Sequence, residues 1–175
     1  MDTNEIIQQL QLLPHPEGGY FRETYRSTEM LTISPGKTRN VSTAIYYLLE
    51  DEDKSRFHRI RSDEIWHFHG KDPLEILIIE QGELSIKTLG NKLAQGEVPQ
   101  VVVPAGLWFA ARVKNGSGYS LVSCTVAPGF DYMDFELGTK ENLIREFPHL
   151  KEIIEAVMDK FIVQQQLFFS ETAIR

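Results

Sequence analysis

The feature that most constrains the fold is a long series of short strand-like segments between residues 20 and 137. The segments are rich in Val, Ile, Tyr, Phe and Thr, which favour strands, and Gly, Pro, Asn or Asp separates each from the next. Short turns such as Gln81-Gly82 predict antiparallel hairpins, and no helical pattern interrupts the series. We therefore predict an all-β barrel or sandwich with strands at residues 20–27, 41–49, 55–61, 64–69, 74–80, 82–88, 99–104, 107–113, 118–127 and 132–136.

Helical periodicity is confined to the two ends of the chain. Apolar residues recur at three- and four-residue steps over residues 3–13, where Pro14 ends the pattern, and again over residues 139–163. Both patterns predict amphipathic helices that flank a barrel of about residues 20–137. For residues 164–175 a helix, a packing arm and a loose tail all stay open.

The composition limits the classes of protein to consider. A chain of 175 residues with 42% hydrophobic and 25% charged residues fits one globular domain, which we place at residues 1–175. A net charge of -7 argues against nucleic-acid binding. Cys124 is the only cysteine, so no intramolecular disulfide can form, and neither a signal peptide nor a membrane-length apolar run is present. We expect a cytoplasmic protein with no membrane partner.

One segment concentrates the chemistry. Residues 55–70 read SRFHRIRSDEIWHFHG and carry three of the five histidines. Because alternate strand residues share a face, His58 and Ile60 should both face the interior, with Glu64 opposite them on the next strand. A histidine and a carboxylate placed in this way can hold a metal or a polar ligand, and His58 has a pKa suited to proton abstraction near neutral pH.

Alternation along the strand 64–69 predicts which side chains face inward. If Glu64 points into the barrel, Trp66 and Phe68 follow it, while His67 and His69 face outward onto a partner subunit or another sheet. A β-bulge near the turn would reverse this assignment.

The spacing of two segments resembles the two motifs of the cupin superfamily, a family of jelly-roll barrels. The matching positions are His58, Ile60, Glu64 and Gly70 in the first motif and Gly96, Pro104, Gly106 and Phe109 in the second. In the superfamily, metal ligands occupy four of these positions, and two of them are here Ile60 and Phe109. Catalytic metal sites generally keep three protein ligands, so we predict no cofactor. A divalent metal at His58 and Glu64, with His67 or His69, is the alternative.

A finer resemblance covers four blocks, residues 15–27, 55–70, 104–112 and 122–137. They are similar to a cupin family of unknown function from bacteria and fungi. The resemblance implies a homodimer and a fold like those of the dTDP-sugar epimerases of rhamnose synthesis and the plant seed-storage cupins. In those epimerases a pocket histidine acts as the base and a tyrosine as the acid.

The candidate catalytic residues are His58, as the base, and Glu64, which would orient the histidine or stabilise its charge. A satisfied structural pair is the alternative for His58, and core packing explains the aromatic candidates equally well. Glycines in the segment 15–19 predict a turn with positive backbone angles rather than ligand contact. The candidate ligand-binding residues are Trp66, Phe68, Phe109, Arg22, Tyr25 and Tyr47, with Tyr25, Tyr46 and Tyr47 as possible acids.

Three functions stay open from the sequence. The first is a metal-independent epimerase or isomerase that acts on a carbohydrate or nucleotide-sugar ligand. The second is a non-catalytic binding or storage-like cupin with the same pocket. The third is a metal-dependent oxygenase, which would require His67 or His69 to face inward.

Overall fold

The structure, a computed structural model, describes residues 2–159. Strands dominate, and three short helices lie at the ends of the chain. The elements are α1 (Thr3–Leu10), β1 (Leu13–Pro14), β2 (Tyr20–Arg26), β3 (Met30–Ser34), β4 (Lys37–Asn40), β5 (Thr43–Glu50), β6 (Lys54–Arg59), β7 (Asp63–Lys71), β8 (Leu74–Glu80), β9 (Glu83–Leu89), β10 (Gln100–Val103), β11 (Trp108–Val113), β12 (Tyr119–Ala127), β13 (Glu136–Leu137), α2 (Lys140–Glu146) and α3 (Lys151–Met158).

All strands except β3 and β4 form two antiparallel sheets that face each other, as in a jelly roll. One sheet has the order β1-β2-β5-β12-β7-β10 and the other the order β13-β6-β11-β8-β9. The predicted all-β fold is confirmed, and each predicted strand from 20–27 to 118–127 has its counterpart within a few residues. The predicted strand 132–136 is instead a 3-10 turn, Tyr132–Asp134, followed by the two-residue strand β13.

The β3–β4 hairpin was not predicted. Its strands are mostly half-buried and pair only with each other, and they lack the apolar alternation that marks a strand packed on the core.

The helices depart from the prediction in length. An Asp2–Glu5 capping box starts α1, and Gln11 in the left-handed conformation ends it, which leaves residue 13 free to pair with β2. At the other end, the 3-10 turn Pro148–Leu150 divides the predicted helical segment into α2 and α3. Its last residues, 160–163, and the stretch 164–175 lie outside the described part of the chain.

Apolar side chains bury both faces of the sheets. The cluster between the sheets includes Tyr47, Trp66 and Phe109. A second cluster packs α2 and α3 on the outer face of the five-stranded sheet, and Trp108 lies in it, on the opposite side from Phe109. A third packs α1 on the outer face of the six-stranded sheet. Each large side chain buried in this way contributes about 1.5–3 kcal/mol. Within residues 2–159, no helix has the length and apolar character needed to cross a bilayer.

Candidate functional site

His58 lies on β6 and points between the two sheets, where its side chain is nearly inaccessible, at 3% exposure. Its Nδ1 is 2.7 Å from the carbonyl oxygen of Arg56 and 3.0 Å from Oε2 of Glu17. Because a carbonyl oxygen can only accept, Nδ1 carries the proton and donates it to both oxygens. Nε2 is therefore the ring nitrogen left for a ligand.

Glu17 enters the barrel from the segment between β1 and β2. Its carboxylate accepts a hydrogen bond from Ser55 Oγ at 2.8 Å, and its backbone N–H donates to Nδ1 of His15 at 3.2 Å. The contact with His58 that the sequence assigned to Glu64 is thus made by Glu17.

Two glycines allow this segment to approach the strands. A Cβ on Gly18 would lie 2.1 Å from the carbonyl oxygen of Lys54, and a Cβ on Gly19 would lie 2.5 Å from that of Leu48. Both glycines have positive φ angles, as predicted. Sequence reasoning took the segment for a simple turn and missed His15 and Glu17. The sequence signal that could have revealed Glu17 is its position directly before a Gly-Gly pair. The two glycines let the backbone approach the strands closely enough to bury the Glu17 carboxylate.

The buried ionisable groups affect one another's pKa values. Burial acts to raise the pKa of Glu17, but the charges of His58 and His15 outweigh it and bring the pKa down to about 2. Burial likewise acts to lower the pKa of His58, and the Glu17 carboxylate reverses this, so that the pKa is raised. The pKa of His15 is lowered, chiefly by burial. Glu17 is therefore ionised at neutral pH, and its charge favours the protonated form of His58.

Glu64 behaves in the opposite way. It lies on β7, buried on the interior face, and its pKa is raised to about 7, mainly by burial and further by the charge of Glu17. The thiol of Cys124, on the adjacent strand β12, hydrogen-bonds to it. Burial raises the pKa of that thiol well above its usual range, which leaves it protonated and weakly reactive. At neutral pH the interior therefore holds one ionised carboxylate, Glu17, and a second carboxyl group, Glu64, that is only partly protonated.

Aromatic rings line the same interior. Phe109 packs on His58 at a ring separation of 4.1 Å, and Trp66 lies 6.2 Å from Phe109 and 5.7 Å from Tyr47. Phe68 is partly buried against the same cluster. The Tyr47 hydroxyl donates to the carbonyl oxygen of Gly18, so this residue fixes the segment that carries Glu17.

Two predicted ligand residues, Arg22 and Tyr25, lie outside the barrel. Arg22 alternates with the inward Phe21, donates to Gln11 Oε1 at 3.2 Å and stacks over Tyr46. Tyr25 would share the inward face, but a bulge between Glu23 and Tyr25 turns its ring outward, where it is 55% exposed. We therefore remove both residues from the candidate site, and Tyr46 with them as an acid.

The alternation predicted for β7 is confirmed. Trp66 is buried inside, while His67 contacts Thr125 Oγ1 at 3.1 Å and His69 contacts Ser123 Oγ at 2.8 Å, both on the outer face. A bulge does occur, but it lies at His69, beyond the inward-facing residues, and so it does not reverse them.

The residues present do not fit a metal ion. Two ligand positions of the metal-binding motif are the buried side chains of Ile60 and Phe109, and Nδ1 of His58 is already occupied. Across residues 2–159, no group of three or more His, Cys, Asp or Glu side chains has a geometry suited to a metal.

An aromatic loop, residues 128–135, lies beside the site. Phe135 stacks 5.5 Å from His58, and Phe130 and Tyr132 pack against Phe135. Asp134 anchors the loop to the β3–β4 hairpin through Lys37 at 2.6 Å and Arg39 at 2.7 Å. Sequence reasoning placed a strand here and missed the loop.

Two surface depressions, of about 330 and 350 Å³, lie away from this site. The first lies between α1 and the outer sheet face near His69, and the second is lined by Tyr20 and the acidic turn 50–53. Neither brings together the inward-facing groups that carry chemistry.

One family model matches most of the chain. Residues 4–138 match the model described as "Cupin superfamily (DUF985)". The chain is 34% identical over 146 residues to the uncharacterised protein YML079W of Saccharomyces cerevisiae, an alignment that covers 74% of this chain and 72% of the yeast protein.

Two solved structures cover nearly the whole chain. A hypothetical protein from Leishmania major is 35% identical with a TM-score of 0.85, covering 91% of this chain and 100% of its own. Protein SO0799 from Shewanella oneidensis is 38% identical with a TM-score of 0.83, covering 92% and 99%. Oxalate decarboxylase from Bacillus subtilis, 16% identical with a TM-score of 0.52 over 85% of this chain and 37% of its own, shares only the fold.

Proposed function

We propose that this chain, which belongs to the DUF985 family of the cupin superfamily, binds a small polar ligand in its barrel. We further propose that it moves a proton beside a carbonyl group of that ligand. The observation that carries this proposal is the buried pair of His58 and Glu17, whose Nδ1–Oε2 distance is 3.0 Å. A carboxylate on Nδ1 fixes the tautomer and stabilises the imidazolium that forms when Nε2 accepts a proton.

The proton balance assigns a role to each acid. Nε2 of a neutral His58 removes the proton from the carbon next to the carbonyl, and the C–H electron pair becomes the double bond of an enol. Glu64, protonated, gives its proton to the carbonyl oxygen. Return of the proton from His58 to the same carbon regenerates the ligand with solvent exchange. If that carbon carries a hydroxyl group, delivery to the former carbonyl carbon, while Glu64 takes the hydroxyl proton, gives the isomer. Neither route consumes acid or base.

The pKa shifts predict the pH dependence of this step. A neutral His58 becomes more abundant as pH rises, because Glu17 holds its pKa above 6.5. A protonated Glu64 becomes scarcer above about 7. The rate should therefore be highest between the pKa values of Glu64 and His58 and fall on both sides.

Solvent exchange tests the proposal. The protein is incubated in deuterated water with a panel of keto sugars and keto-sugar nucleotides, and deuterium at the carbon beside the carbonyl is measured by NMR. We expect exchange that falls at least about 100-fold in His58→Ala. His69→Ala, on the outer face, is the matched control and should exchange like the wild type. Absence of exchange above the protein-free rate across the panel would refute proton transfer.

A second candidate is a non-catalytic ligand-binding cupin. The observation that favours it is the enclosure of His58, whose ring contacts both Phe109 and Phe135. Saturable binding without exchange would decide for this function. The homodimer and the cytoplasmic location stay predictions, and sedimentation velocity would check the first.

A further inference from the structure

Among residues 2–159, two buried side-chain groups on the inward faces of the sheets have no hydrogen-bond partner, the indole Nε1 of Trp66 and the Oγ of Ser120. The indole Nε1 of Trp66 makes no hydrogen bond, and the residue is almost fully buried, at 1% exposure. Burying an N–H group without an acceptor is unfavourable, and native proteins rarely do so unless a water or ligand supplies the acceptor. Trp66 points between the sheets rather than toward solvent, so the missing acceptor belongs to something inside the barrel.

The groups around Trp66 are those of the candidate site. Phe109 is in ring contact with both Trp66 and His58, at 6.2 and 4.1 Å. Glu64 lies two residues before Trp66 on β7 and so shares its inward face. A ligand oxygen that accepts from Nε1 therefore occupies the same interior as the proton-transfer groups.

The charges of the interior favour an uncharged ligand. Glu17 is paired with His58. Glu64 is a second carboxyl group, and it lies close enough to Glu17 for the Glu17 charge to raise its pKa. An anionic ligand would add negative charge to a buried space that already holds two acids, and burial makes such repulsion strong.

The basic side chains that hold the aromatic loop are already paired with acids. Arg26 bonds to Glu23 at 2.7 Å, Asp134 pairs with both Lys37 and Arg39, and Asp131 lies 3.8 Å from Arg39. These cations anchor the protein's own loop, and recruiting them to a phosphate would break those contacts. This argues against the nucleotide-sugar part of the sequence-based prediction.

We propose that Trp66 Nε1 donates a hydrogen bond to the carbonyl oxygen of an uncharged, unphosphorylated hydroxycarbonyl compound bound in the barrel. The inference rests on the proposed function, since it names the class of ligand for the same site. It assigns Trp66 a binding role in which its N–H, and not only its ring, is used.

Three related three-carbon probes test the inference: dihydroxyacetone, glycerol, which lacks its carbonyl group, and dihydroxyacetone phosphate, which adds a charged group. The protein is labelled with ¹⁵N-tryptophan, and the indole signals of its two tryptophans are assigned with Trp108→Phe. We expect dihydroxyacetone to move the Trp66 indole proton signal downfield in a saturable way and to leave that of Trp108 in place. Glycerol and the phosphorylated ketone should bind at least about tenfold more weakly, as should dihydroxyacetone to Trp66→Phe by calorimetry.

Several results would overturn the inference. They are no binding of dihydroxyacetone at millimolar concentrations, binding that leaves the Trp66 signal unmoved, and equal or tighter binding of glycerol or the phosphorylated ketone. The proposed proton transfer is judged separately, by deuterium uptake into the bound ketone. A shifted Trp66 signal without deuterium uptake would refute the proton transfer alone, and uptake with an unmoved Trp66 signal would refute this inference alone.

Discussion

The barrel interior around His58 and the outer face of β7 around His67 shift the pKa of a histidine in opposite directions. Inside, Glu17 holds a buried imidazole and raises its pKa. Outside, His67 contacts the uncharged Thr125 hydroxyl and Gln100 amide, and partial burial together with His69 lowers its pKa. The comparison shows that a carboxylate at hydrogen-bond distance, as Glu17 is from His58, can outweigh the effect of burial on a histidine pKa, whereas His15, at 3.7 Å from Glu17, keeps a lowered pKa.

Removing the carboxylate should have the largest effect. Glu17→Ala leaves His58 buried without its counter-ion, and we expect a loss of about 3–5 kcal/mol in the free energy of unfolding at pH 7, measured by urea denaturation. Since the pKa of Glu17 is lowered from 4.5 to about 2, its stabilisation is present above pH 4.5 and is lost as pH falls toward 2. The deficit of the variant should therefore shrink over that range. A loss below about 1 kcal/mol would mean that the pair contributes no more than a surface ion pair.

Glu64→Gln should have the next largest effect, and in the opposite direction. The pKa of Glu64 is raised to about 7 from 4.5, so the wild type loses stability as pH rises from 4.5 through 7, whereas glutamine does not titrate. The stability of the variant relative to the wild type should grow over this interval by on the order of 3 kcal/mol.

Stability curves from pH 4 to 8 would measure this effect. Glu83→Gln, at an exposed position on β9, is the matched control and should follow the wild type throughout. Parallel curves for Glu64→Gln and the wild type would show that Glu64 has the same pKa in the folded and unfolded states.

The outer histidines should have the smallest effect. His67→Ala and His69→Ala each remove one contact to a hydroxyl on β12, and we expect changes within about 1 kcal/mol because neither is paired with a charge. Thermal unfolding of both variants beside Glu17→Ala measures the contrast. Losses as large as that of Glu17→Ala would remove the distinction between the two regions.

The sequence predicts the barrel and the faces of β7 well because both follow from local patterns. Strand alternation places Trp66 on the same face as Glu64 and His67 on the opposite face, and the structure shows the first of these to be the inner face. It does not predict Glu17, because that contact depends on a non-local approach of a loop to β6. Nor does it predict the outward turn of Tyr25, since a single bulged residue reverses the alternation after Glu23.

The residues at the cupin motif positions show the same difference between features that follow from local sequence patterns and features that depend on non-local contacts. His58 and Glu64 follow from motif spacing, and both lie inside the barrel. What the spacing does not give is which acid contacts the histidine, because that depends on three-dimensional distance. The unpartnered Nε1 of Trp66 is likewise a property of packing, which no residue pattern records.

Glu17 belongs to a segment that precedes the main strands and is held by Tyr47 and by close packing at Gly18 and Gly19. Local opening of this segment, with both sheets intact, would withdraw the carboxylate from His58 and let burial lower the pKa of the imidazole. The protonation of His58 therefore depends on whether residues 15–19 are packed against the strands. Docking of this segment and protonation of His58 are thus one linked equilibrium, and hydrogen exchange at Gly18 and Gly19 would report on both.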